Sequence, residues 1–290
     1  QGELHRDQKF VHDGKERSYH HYQPDAADPR PLVLLLHGAG AKIDTHIGLD
    51  GTRWPHQVWL QIADEDKLHL LVPQGLDSHW NDCRAECQRC GDEDDLGFLL
   101  ALLDDLAARH AVDLQRVYVA GESNGGFMAQ RLAQEAPARF AAIGAVIALM
   151  PASNDCTPQD VPMPLMYQVG SADAEVLYQG GASDPQVASL SAVDSVAYWR
   201  SLNHCETTPA LSSLPDLDPE DGSTARREDY ACADTGASLA LIALDGAGHV
   251  PPSVEVEVSL AWEALAGRQN HDVEGAREFW AFFKGRLRVQ

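Results

Sequence analysis

A glycine-flanked serine between a strand pattern and a helix pattern is the feature that most restricts the fold of this chain. Residues 121–125 read G-E-S-N-G and follow residues 116–120, whose β-branched and aromatic side chains are typical of a buried strand. Apolar side chains then recur at helical spacing up to Pro137. This G-x-S-x-G pattern predicts a sharp strand-to-helix turn that exposes the hydroxyl of Ser123 as a nucleophile.

Strand and helix patterns alternate along the rest of the chain. Two strand-like runs around Asp13-Gly14 predict an antiparallel hairpin at residues 9–22. Further strands are expected at residues 31–37, 68–73, 116–120, 141–150, 164–169 and 238–244, and helices at residues 56–67, 94–110, 193–202 and 274–285 and directly after the serine turn. Such alternation predicts an α/β fold with a mostly parallel sheet, helices on both faces and ligands at the carboxyl ends of the strands. We expect one domain over residues 1–290.

The chain is strongly acidic, with a formal net charge of −22 over 290 residues. This charge would repel nucleic acids and anionic membrane surfaces, so neither is expected as a partner. No apolar run approaches the ~20 residues of a membrane-spanning helix. The sequence leaves the oligomeric state open.

Six cysteines form an even set, which could make three disulfides in an oxidising compartment. Cys205 and Cys232 flank an acidic, proline-rich loop at residues 207–228 and are expected to pair. The remaining cysteines are Cys83, Cys87, Cys90 and Cys156. Two of the first three can pair while the third reaches Cys156. The alternative is a zinc site that includes His79, although the spacing matches no common zinc module.

A nucleophilic serine needs a base, and the base needs a carboxylate that orients it. His249 follows the last predicted strand through a glycine-rich turn, and Asp173 follows the strand at residues 164–169. The chain order Ser123, Asp173, His249 is the one expected for a nucleophile on such a turn, so these residues are the predicted catalytic triad. The other candidates for the carboxylate are Asp155, Asp194 and Asp245.

Backbone N–H groups near the serine would have to bind the oxyanion of an acyl-transfer reaction. The strand at residues 31–37 ends in His37-Gly38, which would direct a backbone N–H towards the serine. We expect this donor to be Ala39, with Gly40 as the alternative, and the second donor to be Asn124. His37 itself is expected to anchor the turn.

Seven short motifs occur in one order along the chain: Leu36-His37-Gly38, Val72-Pro73-Gln74-Gly75, Trp80-Asn81-Asp82, Asp94-Asp95-Leu96-Gly97-Phe98, the serine turn, Gly170-Ser171-Ala172-Asp173 and Gly246-Ala247-Gly248-His249. Together they resemble the secreted α/β-hydrolase family of polyhydroxybutyrate depolymerase-like and feruloyl esterase-like enzymes, over residues 10–283. The resemblance implies an α/β-hydrolase fold, hydrolysis of carboxylic esters by the predicted triad, a Cys205–Cys232 type disulfide and secretion. No apolar targeting segment follows Gln1, so we expect the signal peptide to have been removed.

The expected substrate is a feruloyl, acetyl or hydroxyalkanoate ester, either small or borne on a polymer. The chain departs from the family pattern after the histidine, where Val250-Pro251-Pro252 replaces the frequent tryptophan-proline pair. Residues 251–272 are either a lid over the acyl pocket or a surface segment on the sheet edge. Trp80 and Tyr178, with Trp54, are candidates for stacking on the substrate.

No metal or cofactor is expected. The acidic stretch at residues 216–222 lacks the glycine position and the closing glutamate of a calcium-binding loop. A secreted serine peptidase of the prolyl-oligopeptidase type is the alternative function, although such enzymes usually carry a propeller domain. An acyltransferase and a non-enzymatic binding protein of the same fold are further alternatives.

Overall fold

The computed structural model describes residues 1–233 and 236–288, and these residues contain a ten-stranded mixed sheet. The strands are β1 (Glu3–His12), β2 (Lys15–Gln23), β3 (Arg30–Leu36), β4 (His69–Pro73), β5 (Val112–Glu122), β6 (Ala142–Val146), β7 (Leu165–Gly170), β8 (Ala210–Ser213), β9 (Thr224–Tyr230) and β10 (Leu239–Asp245). Across the sheet the order is β1-β2-β4-β3-β5-β6-β7-β10-β9-β8. The six central strands are parallel, and two antiparallel strands lie at each edge.

Helices cover both faces of the sheet, which confirms the predicted α/β-hydrolase fold with its N-terminal hairpin. They are α1 (Ile43–His46), α2 (Val58–Asp66), α3 (Asp95–Arg109), α4 (Asn124–Glu135), α5 (Ala192–Leu202), α6 (Leu260–Ala266) and α7 (Gly275–Phe283). Within the described part of the chain, none of them is both long and apolar enough to span a membrane.

Successive side chains of the buried strands point alternately into two separate hydrophobic cores. In β3, Leu34 faces the core formed with α3, α4 and α5, whereas Val33 faces the core formed with α2 and α7. Both residues are at most 1% exposed, and so are Phe127 in the first core and Trp59 in the second. A strand buried on both faces has no polar side, which explains the continuous apolar run of β3.

The edge of the sheet beyond β10 differs from the sequence-based expectation of a loop at residues 207–228. Antiparallel strands β8 and β9 form there, and only the acidic stretch between them is irregular. Arg226 of β9 pairs with Asp245, and Arg227 pairs with Asp229. The charged side chains of β9 hide this strand from a hydrophobic pattern.

All six cysteines form disulfides in the structure. Cys205 pairs with Cys232, as expected, and the other bridges are Cys83–Cys156 and Cys87–Cys90. The expected arrangement of one short bridge and one link to Cys156 is therefore confirmed. Because every thiol is oxidised, these cysteines offer no thiolate for zinc.

Replacing Cys205 and Cys232 together by serine should lower the free energy of unfolding by about 2–4 kcal/mol, because the bridge restricts the unfolded chain. Urea denaturation followed by tryptophan fluorescence measures this loss. The matched control is the double serine variant of Cys87 and Cys90, which are only 3 residues apart instead of 27. This control should lose less free energy of unfolding, because its bridge closes a much shorter loop. Equal losses for the two pairs would contradict this argument.

Candidate active site

Ser123 lies at the junction of β5 and α4 with a backbone conformation that is rare for a residue with a side chain. Its φ is +50° and its ψ is −120°. A Cβ atom on Gly121 would lie 2.1 Å from the carbonyl oxygen of Gly125, and one on Gly125 would lie 2.3 Å from that of Leu36. Any side chain at either glycine would therefore push α4 away from β3 or β5, so these glycines allow the turn to form.

The structure brings the three predicted triad residues together at the carboxyl ends of the parallel strands β5, β7 and β10. Asp173 follows β7 and His249 follows β10, which pairs with β7 in parallel. Ser123 Oγ lies 3.0 Å from His249 Nε2, and His249 Nδ1 lies 2.7 Å from Asp173 Oδ2. This geometry fits a hydroxyl that donates to Nε2 and an Nδ1–H that donates to the carboxylate.

Backbone hydrogen bonds hold the Asp173 carboxylate in place. Its Oδ1 accepts from the N–H groups of Glu175 and Val176 at 2.8 and 2.9 Å, which leaves Oδ2 for the histidine. The side chain is buried, so the charged group depends on these donors. The short loop after Asp173 thus holds the Asp173 carboxylate, and the carboxylate in turn orients His249.

The other three candidate carboxylates lie in different surroundings. Asp194 accepts a hydrogen bond at the start of α5, and Asp245 forms an ion pair with Arg226. Asp155 lies beside Cys156 at a different surface depression. The geometry therefore favours Asp173 over all three as the partner of the histidine.

Three carboxylates raise the pKa of His249. Burial alone would lower the pKa of the buried imidazole, but the hydrogen bond and the charge of Asp173 outweigh it, and the charges of Glu175 and Glu122 add to their effect. The net result is a pKa of His249 above its usual value. Glu175 Oε2 lies 3.7 Å from His249 Nε2, and its side chain is 57% exposed. Nothing in the spacing of the sequence indicated this second carboxylate.

The turn after β3 and the start of α4 carry the two expected oxyanion donors, Ala39 and Asn124. Gly40 donates its N–H to the carbonyl oxygen of Ser78 at 2.8 Å, whereas among the described residues no acceptor faces the N–H of Ala39. The N–H of Asn124 belongs to the first turn of α4, where helices have no internal acceptors. Ala39 is thus the better candidate of the two alternatives.

His37 anchors this turn as a neutral imidazole. Its Nε2 accepts from the N–H of Gly75 at 3.0 Å and its Nδ1–H donates to the carbonyl oxygen of Gly38 at 2.7 Å. Burial lowers the pKa of His37 to about 4, which keeps the ring uncharged at neutral pH. A neutral ring can donate from one nitrogen and accept at the other, as both contacts require.

Trp80 is not at the mouth of the site but beneath it. Its side chain is fully buried, and its indole N–H donates to the carbonyl oxygen of His37 at 3.0 Å. Its backbone exchanges hydrogen bonds with the Asn124 side chain, which also donates to Asp82. The expectation that Trp80 stacks on substrate does not fit this position. The ring instead holds the turn after β3 against the start of α4.

A cavity of about 510 Å³ opens beside Ser123 and His249. Trp54 and Trp262 line it, with ring centroids 5.2 Å apart and planes at 89°. Tyr178 does not line this cavity, because its hydroxyl accepts from Arg226 and its ring packs on the first hydrophobic core. The aromatic residues that line the cavity are therefore Trp54, which the sequence suggested, and Trp262 of the segment 251–272.

Comparison with known proteins identifies relatives of this chain. The sequence pattern of the family described as esterase PHB depolymerase matches residues 17–203, which include Ser123 and Asp173. NocK of Nocardia uniformis subsp. tsuyamanensis, whose name assigns it to the esterases, is 28% identical over 285 residues, covering 92% of this chain and 79% of NocK. Feruloyl esterase B of Piromyces equi is 25% identical over 186 residues, covering 60% of this chain but only 31% of that enzyme.

A solved structure shares the fold. The acetyl xylan esterase from Aspergillus awamori superposes with a TM-score of 0.57 at 15% identity, covering 91% of this chain and 98% of that chain. The family pattern extends over more than half of the sequence, and the similarity to NocK extends over nearly all of it. The chain therefore belongs to the esterase PHB depolymerase family and is an esterase of the α/β-hydrolase fold.

Proposed function

We propose that this esterase hydrolyses carboxylic esters through an acyl-enzyme formed on Ser123. The observation that carries the proposal is the continuous chain of contacts from Ser123 Oγ through His249 to Asp173. His249 takes the serine proton as the hydroxyl attacks the ester carbonyl, and it then gives the proton to the leaving alcohol. Water attacks the acyl-enzyme in the second half, with His249 again as the base. Asp173 keeps the imidazole in the required tautomer throughout.

The oxyanion is bound by backbone N–H groups of the turn after β3 and of the start of α4. The N–H groups of Ala39 and Asn124 supply the two donors, and the positive end of the α4 dipole lies at the same place. Gly40 takes no part because its N–H is already bonded to Ser78. These donors exist before substrate arrives, so little reorganisation is needed when negative charge develops.

The acyl group enters the cavity that the contacting rings of Trp54 and Trp262 line on one side. Aromatic walls of this kind suit an aromatic acid such as a feruloyl group, and a short hydroxyalkanoate or acetyl group would also fit in about 510 Å³. The names of the relatives, a feruloyl esterase and an acetyl xylan esterase, support esters of plant polysaccharides as substrates. The ester is either a small molecule or part of a polymer.

Residues 251–272 form a fixed wall of the pocket in this proposal, not a moving lid. The Gln269 side chain donates to the carbonyl oxygens of Pro251 and Val256, at 3.1 and 2.9 Å, and closes the segment on itself. The N–H of His249 donates to the carbonyl oxygen of Ala266 at 2.7 Å. A large movement of the segment would thus also disturb the proposed base. In this proposal the segment and the sheet belong to one catalytic domain.

An oxidising compartment is the proposed location of the enzyme. Three disulfides support secretion to the cell exterior or the periplasm, because reducing compartments keep thiols free. The strong negative charge also suits a substrate other than a nucleic acid or an anionic membrane.

Ser123→Ala should lower kcat/KM for esters by at least about 10³-fold, leaving only the contribution of the oxyanion donors and binding. Initial rates on p-nitrophenyl acetate to octanoate, methyl ferulate, a hydroxybutyrate oligomer and an aminoacyl amide measure this loss and rank the acyl groups. Ser212→Ala, at an exposed serine of β8, is the matched control and should retain full activity. Turnover of the amide alone, or equal activity in both variants, would contradict the esterase proposal.

Glu175→Gln should move the acid limb of the kcat/KM profile to lower pH. The base works only when neutral, and the Glu175 charge raises the pKa of His249, so removing that charge lets the imidazole lose its proton at lower pH. Initial rates across the acid range, with a small neutral ester, measure the shift. Glu16→Gln, in the N-terminal hairpin, removes the same charge from an exposed glutamate and should leave the profile unchanged. An unshifted profile for Glu175→Gln would refute this role.

A further inference from the structure

Two histidines and a glutamate form a buried cluster directly behind the nucleophile. Glu122 is the last residue of β5 and precedes Ser123, while His46 ends α1 and His56 lies in the turn before α2. Glu122 Oε2 lies 3.5 Å from His46 Nδ1 and 3.1 Å from His56 Nε2. All three side chains are at most 9% exposed, and His46 and Glu122 line the cavity that contains Ser123.

Both imidazoles lack the hydrogen bonds that buried rings normally make. In the described part of the chain, neither nitrogen of His46 nor of His56 has a hydrogen-bond partner. Unsatisfied buried polar atoms are costly, so four of them on two adjacent rings beside one carboxylate need an explanation.

Another histidine near the same loop shows the contrast. His20 is as deeply buried as His46, but its Nδ1 accepts from the N–H of Asp7 at 3.0 Å and its Nε2 lies 2.8 Å from Asp44. Its two nitrogens are thus satisfied within the protein. Deep burial alone does not leave histidine nitrogens without partners in this fold.

We propose that His46 Nδ1, His56 Nε2 and Glu122 Oε2 bind a divalent transition-metal ion, for which Zn²⁺ is the best match. Two imidazoles and one carboxylate are an established ligand set for Zn²⁺ that leaves a fourth position open. Tetrahedral coordination at 2.0–2.2 Å places ligand atoms about 3.3–3.5 Å apart, close to the separations at Glu122. This inference departs from the sequence-based expectation of no metal.

The surroundings of Glu122 fit a ligand held for a metal. The Trp54 indole N–H donates to Glu122 Oε2 at 2.8 Å, and such outer contacts orient ligating carboxylates. An ion here would connect the loop that carries His46 and His56 to the end of β5, one residue before the nucleophile. It would therefore hold one wall of the acyl cavity in place. The site does not depend on the proposed ester chemistry.

The test is metal binding by the whole protein after removal of metals with dipicolinate. Isothermal titration with Zn²⁺ should give one ion per chain, and Zn²⁺ should raise the melting temperature. Glu122→Gln and His56→Ala should each weaken binding by at least about 100-fold because each removes a ligand. The matched control is His12→Ala, which alters a partly buried histidine beside the exposed Asp13 and Asp94 and should bind as the parent does.

Absorption of Co²⁺ in place of Zn²⁺ provides a second readout that does not depend on stability. Intense visible bands of a four-coordinate ion should appear in the parent and be lost in Glu122→Gln, which keeps the size of the side chain and an acceptor for Trp54. This variant decides the matter even if His56→Ala fails to fold. No binding in the parent, or an equal loss in His12→Ala, would overturn the proposal.

Discussion

The site depends on the close approach of helix α4 to the ends of β3 and β5. Gly121 and Gly125 make this approach possible, because any side chain there would collide with backbone carbonyl groups. The approach forces Ser123 into its unusual backbone conformation and directs its hydroxyl to the edge of the sheet. It also places the first N–H groups of α4 beside the turn after β3. The proposed nucleophile and oxyanion donors thus result from the same contact.

A network of buried polar groups holds the turn after β3 against the start of α4. His37 ties the turn after β3 to Gly75, and Trp80 joins that turn to the Asn124 side chain. The network needs a neutral His37, and burial supplies one. On the opposite side, Glu122 faces two histidines that have no such partners. On one side of the serine turn the buried polar groups have hydrogen-bond partners within the protein. On the other side the histidine nitrogens do not, and there we propose a metal ion.

Much of this could be predicted from the sequence, because the decisive signals are local. The serine turn, the buried strands and the loops that carry Asp173 and His249 each have a compact pattern in the chain. Trp80 and Tyr178 could not be placed, since the surroundings of an aromatic side chain depend on the packing of distant loops. Strand β9 was missed because charged residues replace the apolar alternation, and β8 was missed because it is only 4 residues long. Glu122, His46 and His56 meet only through the fold.

The most direct test of this account is covalent labelling of the folded protein with a fluorophosphonate, followed by intact mass spectrometry and peptide mapping. A serine activated by His249 at the strained turn should take up one adduct per chain, located on Ser123, and urea-unfolded protein should take up none. An adduct on any other residue, or no adduct on the folded protein, would contradict the assignment of Ser123 as the nucleophile.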